Sequence, residues 1–187
     1  MPADESAPDA AAILDSRTAY RGRILDVAVE RIRTTPDRSP FEVEIVRHAP
    51  SVGIVAMPSE EEIVLVRQYR HAAGAWLWEL PAGSVDEGEA PAEAAARECQ
   101  EELGLVAGSL EPLGSLFPLP GYCTERMTFF KATALRTPGP DDPAACQDED
   151  EDIEAKAFSV SEIRRMLAAG EIVDMKLAAA LTLAGRR

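Results

Sequence analysis

Gly83-Ser84-Val85-Asp86-Glu87-Gly88-Glu89-Ala90-Pro91-Ala92-Glu93-Ala94-Ala95-Ala96-Arg97-Glu98-Cys99-Gln100-Glu101-Glu102-Leu103-Gly104-Leu105 is the stretch from which the rest of the chain can be read. As a pattern it is G-x5-E-x7-R-E-C-x-E-E-x-G-L, a glycine loop followed by a helix rich in carboxylates. Pro91 suits the first helical turn, where its missing N–H is no loss. Ala92, Ala94, Ala95 and Ala96 are strong helix formers, and Gly104 is placed to stop the helix in the left-handed conformation. On that helix Glu98 and Glu102 stand at i and i+4, with Glu101 at i+3 from Glu98, so all three share a face. Like charges at this spacing destabilise a helix by about 0.2–0.5 kcal/mol per pair. A divalent cation among them removes the conflict, and an all-oxygen donor set suits Mg²⁺ or Mn²⁺ better than zinc. Arg97 points a different way and is placed to pair with Glu89, tying the loop to the helix. A solvated acidic helix face is the plain alternative, and the glycine loop and Arg97 argue against it.

Upstream of this stretch, Val52 to Met57 is almost wholly apolar, Ile63 to Tyr69 is similar, and Trp76 to Leu80 is a further short strand. These read as buried strands of a central sheet. Pro81-Ala82-Gly83 opens the loop. Downstream, strands are expected near Leu110 to Phe117, Met127 to Leu135 and Ile153 to Phe158. Ser159 and Glu162 form a capping-box pattern for a helix to about Ala168, stopped by Gly170. Asp174 starts a last helix through about Ala184, ended by Gly185. Towards the N-terminus, Arg23 to Thr34 alternates around Ile24, Val27 and Val29. The segment Thr35-Pro36-Asp37-Arg38-Ser39-Pro40 turns the chain, and Phe41 to His48 returns with period-2 alternation. From about Ile13 to His48 the pattern is strand-like, so residues 13–48 read as an antiparallel β-hairpin or sheet appended to the domain of residues 49–187, and residues 1–12, rich in Ala, Pro, Asp and Ser, read as a disordered tail.

The chain of 187 residues is long enough for one real core. With 19 Lys and Arg against 33 Asp and Glu, its net charge is −14, and no basic stripe is present for a nucleic-acid backbone. So acidic a protein repels a phosphate substrate unless metal ions reverse the local sign, which favours a metal-dependent site. Cys99, Cys123 and Cys146 are odd in number and far apart, which argues for a reducing compartment over a disulfide framework. No apolar run approaches the roughly 20 residues of a membrane helix, and no secretory signal opens the chain, so a cytoplasmic protein is expected. Cys99 falls on an apolar helix position and reads as packing.

The central stretch resembles the signature of the Nudix hydrolases, which cleave nucleoside diphosphates linked to another group. Seven fixed positions match, and at ordinary Gly, Glu and Arg usage a chance match is on the order of 10⁻⁸ per window, so the resemblance is specific. It implies an α/β/α sandwich with a mixed central sheet. The flanks resemble the ADP-ribose pyrophosphatase branch. They are Tyr20-Arg21-Gly22-Arg23-Ile24-Leu25, Val66-Arg67-Gln68-Tyr69-Arg70, Trp78-Glu79-Leu80-Pro81-Ala82-Gly83 and Leu119-Pro120-Gly121-Tyr122-Cys123-Thr124-Glu125. Pro120 lies fifteen residues beyond Leu105, and the N-terminal hairpin is similar to the extra sheet through which these enzymes dimerise. Leu119 is a departure, since many relatives carry a small polar residue there.

Carried over to this chain, the resemblance implies two or three Mg²⁺ or Mn²⁺ ions held by Glu98, Glu101, Glu102 and the Ala82 carbonyl. Arg70 sits over the diphosphate, and Arg23, Ile24 and Glu44 border the adenosine end, with Arg23 and Glu44 contributed by the partner of a homodimer with shared active sites. Arg67, Gly83, Pro120, Gly121 and Glu125 complete the substrate contacts, while Glu79 either meets the terminal ribose or pairs with an arginine. In the acidic tract Asp148-Glu149-Asp150-Glu151-Asp152 the branch implies Glu149 as general base and Glu151 as a further ligand, although five successive acids allow other registers. Glu101 and Glu102 join Glu149 as the catalytic set. The implied reaction is hydrolysis of ADP-ribose to AMP and ribose 5-phosphate. A broader nucleoside-diphosphate-sugar or dinucleotide pyrophosphatase is the alternative, because Tyr122 past Pro120 is also similar to diadenosine polyphosphate hydrolases. A non-catalytic ADP-ribose sensor is a second alternative, disfavoured because every signature carboxylate is present.

Overall fold

The computed structural model describes residues 11–142 and 153–185. By compactness the chain divides into one unit of residues 1–49 with 119–125, and a second of 50–118 with 126–187.

The first unit is a three-stranded antiparallel sheet, β1 (Ala12–Arg21), β2 (Leu25–Arg33) and β3 (Phe41–His48), with β2 in the middle. Strand-like sequence was expected from about Ile13, with a hairpin over residues 23–48; Ala12–Arg21 forms the further strand, and Ala12, assigned to the disordered tail, already belongs to it. Residues 1–10 of that tail lie outside the described residues. Ala28 and Glu30, not Ile24, Val27 and Val29, are the buried positions of β2, while Ile24 is exposed in the turn before it. A charge is tolerated at Glu30 because neighbouring strands supply its partners: Arg47 donates to its carboxylate at 2.5 Å and to the Ser16 hydroxyl at 3.1 Å. Residues 119–125 lie along β3, where the Val46 N–H donates to the Tyr122 carbonyl at 2.7 Å and the Thr124 N–H to the Val46 carbonyl at 2.9 Å.

The second unit contains the mixed sheet. Its strands are β4 (Ser51–Ser59), β5 (Glu62–Arg70), β6 (Ala75–Glu79), β7 (Ala82–Ser84), β8 (Ser109–Leu116), β9 (Met127–Thr133) and β10 (Glu154–Ser159). The order β10-β5-β4-β9-β8 is antiparallel throughout except for the parallel pair β4 and β9. Helix α1 (Pro91–Leu103) covers one face, where Val52, Ile54, Ala56 and Val64 pack with Ala94 and Ala95. Helices α2 (Val160–Ala169) and α3 (Met175–Leu183) cover the other, where Val55, Met57, Ile63 and Leu65 pack with Ile163, Met166, Leu177 and Leu181. Alternate residues of β4 thus face opposite layers, and residues 51–57 are all buried, which is why 52–57 reads as an almost unbroken apolar run. The expected α/β/α sandwich is what the second unit forms.

Two details of this sheet position the site. Strands β4 and β5 are paired at Ala56–Val64 and Ser59–Glu62; beyond that pairing β6 adds to β5 and β7 adds to β4. Leu80 and Pro81 link β6 to β7, and the Pro81 carbonyl accepts the Ile54 N–H at 2.8 Å. Helix α1 then runs from Pro91 to a Gly104 stop at φ 64, whose N–H returns to the Gln100 carbonyl at 2.9 Å. At its start the Glu93 carboxylate accepts the Ala90 N–H at 2.9 Å, half of a capping box, since Ala90 has no side-chain oxygen to complete it.

Candidate active site

The helix presents its carboxylates to the loop that precedes it. Glu102 is buried, and its Oε2 accepts the Ala82 N–H at 3.0 Å. The Glu98 carboxylate lies directly against Gly83, so closely that a methyl group there would overlap it. Only glycine leaves room for that seat, which gives the first residue of the signature a physical reason.

Arg97 holds the arrangement from the side. Its Nε and Nη2 donate to the two Glu89 oxygens at 3.0 and 3.1 Å, and Nη2 also reaches the Ser84 carbonyl at 2.9 Å. Its Nη1 donates to Glu98 at 2.8 Å and Glu101 at 2.7 Å. The expected pairing with Glu89 is present, but Arg97 does not point away from the acidic face; it bridges two of the three carboxylates there. Five bonds use all five guanidinium N–H groups, so Arg97 ties loop to helix and has no donor left for a substrate. Hydrogen bonding to Arg97 is the main reason Glu89 lies below the usual carboxylate range, and Arg97 is raised in return, foremost by Glu89. Cys99, beneath this face, is fully buried; burial first and the Glu102 charge second push its thiol up to about 11, as befits a packing residue.

The donor chemistry fits a hard divalent cation. Glu98, Glu101 and Glu102 offer oxygen only, from one helical turn, beside the Ala82 and Gly83 backbone. Among the described residues no three carboxylate, histidine or cysteine side chains already converge on a single point. Glu98 and Glu101 are turned instead onto Arg97, which supplies the positive charge.

A second charged cluster lies on the β5–β6 side. Arg70 grips buried Glu79 with a two-pronged bond, Nε to Oε1 at 3.0 Å and Nη2 to Oε2 at 2.8 Å. Of the two roles expected for Glu79, a ribose contact or an arginine pair, the arginine pair is present in this structure. Lys176 Nζ adds a contact to Glu79 Oε2 at 3.0 Å and another to Asp174 Oδ1 at 3.0 Å. Burial is the largest single influence on Glu79 and pushes it up, yet Arg70 and Lys176 together outweigh it and hold the carboxyl below its ordinary range. For Lys176 burial opposes the charge, and Asp174 and Glu79 overrule it, leaving the ammonium raised.

Sequence reasoning had Asp174 as a helix cap and missed Lys176 altogether. A signal was there. A lysine in the first turn of a helix opposes the macrodipole by about 0.3–1 kcal/mol, so its presence points to carboxylates waiting for it.

The profile of the NUDIX domain family matches residues 47–180. The chain belongs to the Nudix family. An ADP-ribose pyrophosphatase of Mycobacterium tuberculosis is 38% identical over 162 residues, spanning 86% of this chain and 76% of its own length. An ADP-ribose pyrophosphatase of Bacillus subtilis is 29% identical over 162 residues, spanning 87% of this chain and 85% of its own. A crystal structure titled as an ADP compounds hydrolase superposes with a TM-score of 0.76 over 94% of this chain and 92% of its own, and at 23% identity it shares the fold. Nudix hydrolases generally depend on divalent metal, in keeping with the oxygen donors of α1.

The remaining expected site residues are distributed as follows. Arg67 is half-buried, 3.6 Å from Glu154, with its guanidinium 5.4 Å from the Trp76 ring centre. In the first unit Arg23 and Ile24 are exposed between β1 and β2, and Glu44 is exposed on β3 opposite Val29. Pro120 and Gly121 are exposed, and the Glu125 N–H faces the Cys123 sulfur at 3.5 Å. Glu149 and Glu151 lie outside the described residues. Among the described residues no helix is long and apolar enough to cross a membrane.

Proposed function

We propose that this Nudix protein hydrolyses ADP-ribose to AMP and ribose 5-phosphate. The observation that carries the reading is the seating of Glu98 on Gly83 and of Glu102 on the Ala82 N–H, which brings two oxygen-donor side chains of the signature helix against the loop backbone. The names of the Mycobacterium tuberculosis and Bacillus subtilis relatives support ADP-ribose over other nucleotide sugars. Two or three Mg²⁺ (or Mn²⁺) ions would be held by Glu98, Glu101, Glu102 and the Ala82 carbonyl, with Glu151 as a further ligand. When bound, such ions offset the charge of the diphosphate and of the transition state.

The protein's own part is positioning and proton transfer. Arg70 meets the diphosphate, with Arg67 and Gly83 nearby, while Pro120, Gly121 and Glu125 shape the sugar side. Glu149 takes a proton from a water whose oxygen attacks one phosphorus. The bond from that phosphorus to the bridging oxygen breaks, leaving AMP and ribose 5-phosphate. The protein works in the cytoplasm as a homodimer, in which a second copy supplies Arg23 and Glu44 to the adenosine end, which Ile24 also borders. The exposed apolar side chains of the first unit, Ile13, Leu14, Tyr20 and Phe41, support an interface there.

The test is a panel of ADP-ribose, GDP-mannose and diadenosine polyphosphates with Mg²⁺ and with Mn²⁺, products resolved by chromatography. ADP-ribose is expected to give the highest kcat/KM with AMP and ribose 5-phosphate in equal amounts. A preference for another substrate would reassign the specificity, and no cleavage of any substrate with either ion would overturn the reading.

A further inference from the structure

We infer that Lys176 is a positioning residue for the substrate's diphosphate, acting through Glu79 on the Arg70 guanidinium. The inference rests on the reading that Arg70 meets the diphosphate.

The observations form a chain of alternating charge, Arg70–Glu79–Lys176–Asp174, that runs from the end of β5 to the start of α3. Glu79 is 3% exposed and both its oxygens are committed, Oε1 to Arg70 and Oε2 to Arg70 and Lys176 together. Arg70 is 41% exposed, so its outer part reaches solvent while its inner edge is fixed by Glu79. A guanidinium held through two N–H groups keeps one orientation, which a single contact would not enforce.

Lys176 has no helical reason to stand where it does. It occupies the first turn of α3, where the macrodipole disfavours a cation. Asp174 does not require it either. Its oxygens already accept the N–H groups of Leu80 at 3.1 Å, Lys176 at 3.0 Å and Leu177 at 3.2 Å, and the helix N-terminus favours its charge. The group that gains from Lys176 is Glu79. With the ammonium in place the Glu79 charge is divided between two cations, and Arg70 keeps charge to offer an anion. Without it, Arg70 is the only countercharge that these contacts leave to a buried carboxylate, and it is drawn onto Glu79 at the expense of an incoming diphosphate. Asp174 fixes the lysine in register with the site, because the Leu80 N–H it holds lies two residues before Ala82, on which Glu102 is anchored.

The full-length enzyme is tested as Lys176→Met, Arg70→Ala and the double variant, with ADP-ribose and Mg²⁺. Lys176→Met is expected to raise KM about tenfold with kcat within about threefold, since it weakens the grip on the ground and transition states alike. Lys176→Arg restores most of the loss. In the Arg70→Ala background, removing the lysine should change KM by less than about twofold, because its effect passes through a residue no longer there. A merely structural role would lower the melting temperature in both backgrounds and leave no such coupling. Parental KM in Lys176→Met, or a full independent rise in the Arg70→Ala background, overturns the inference. If Arg70→Ala itself leaves KM unchanged, it is the underlying assignment of Arg70 that fails. Should Lys176→Met not fold, Lys176→Gln takes its place, with a smaller KM rise and the same coupling expected.

Discussion

Glu102 accepts the Ala82 N–H while almost wholly buried, so Glu102→Gln keeps an acceptor oxygen and removes only the charge. Its stability is expected to change by no more than about 1 kcal/mol. Its kcat/KM with ADP-ribose should fall by at least about 100-fold if Glu102 holds a divalent cation as proposed, because the lost charge is then one the cation needs. Turnover within about threefold of the parent would remove Glu102 from the metal set. The paired carboxylates also make stability depend on pH. Glu79 and Glu89 are held below their ordinary value of 4.5 in the folded state. Their stabilising contribution is therefore complete above that value and is lost as pH falls through the lowered ones. Urea midpoints should be flat from neutral pH down to about 5 and decline below it. In Glu79→Gln the midpoint should be lower at neutral pH and decline less steeply on acidification, whereas an equal decline in parent and variant would sever the link to Glu79.

At the scale of elements, β7 and α1 function as one part, since the loop's glycine is shaped by the helix's glutamate. Gly83→Ala places a methyl group where the Glu98 carboxylate lies, and either the carboxylate or the loop has to move. Displacement by about 1 Å at a reacting centre is enough for a loss of about 100-fold, which is the fall in kcat expected here, with far-ultraviolet circular dichroism unchanged. Parental kcat in Gly83→Ala would show that the seat has no catalytic role. The Arg97–Glu89 tie between loop and helix was legible in the sequence because its residues lie within one short stretch, where spacing limits which side chains can meet, whereas the Gly83–Glu98 contact was not foreseen. The apolar runs of β4 and β5, and the helix stops at Gly104 and Gly170, were legible for the same reason. Strand β1 was legible only as strand-like sequence from about Ile13, because every residue of Ala12–Arg21 is exposed and no buried face imprints an alternation that would fix its limits and pairing. Strand β7 is three residues long and leaves no period to detect. The contact between Lys176 and Glu79 joins residues 97 apart, and only the misplaced charge at a helix start hinted at it.

At the scale of the whole molecule, the proposed homodimer would have to bring together two copies of a strongly acidic chain. Net charge is −14, yet residues 13–48 carry seven arginines against six acidic side chains, so the N-terminal sheet is close to neutral on an otherwise negative protein. That sheet also exposes Ile13, Leu14, Tyr20 and Phe41, each more than 40% accessible. A three-stranded sheet is close to the smallest that stands unaided, and covering its apolar side chains with a second copy would add the burial it lacks. Association at a near-neutral apolar surface should depend only weakly on salt, since charge repulsion there is small and hydrophobic contact is not screened. Sedimentation is therefore expected to give twice the 20.2 kDa chain mass at both low and moderate salt. The double variant Leu14→Glu, Tyr20→Glu should sediment as a monomer, because each carboxylate would have to be buried without a partner. If the second copy supplies Arg23 and Glu44, that monomer should also show a raised KM for ADP-ribose with Glu98, Glu101 and Glu102 untouched. A monomer that keeps parental KM would separate dimerisation from the adenosine contacts, and a parent enzyme that is monomeric at micromolar concentration would end the dimer proposal outright.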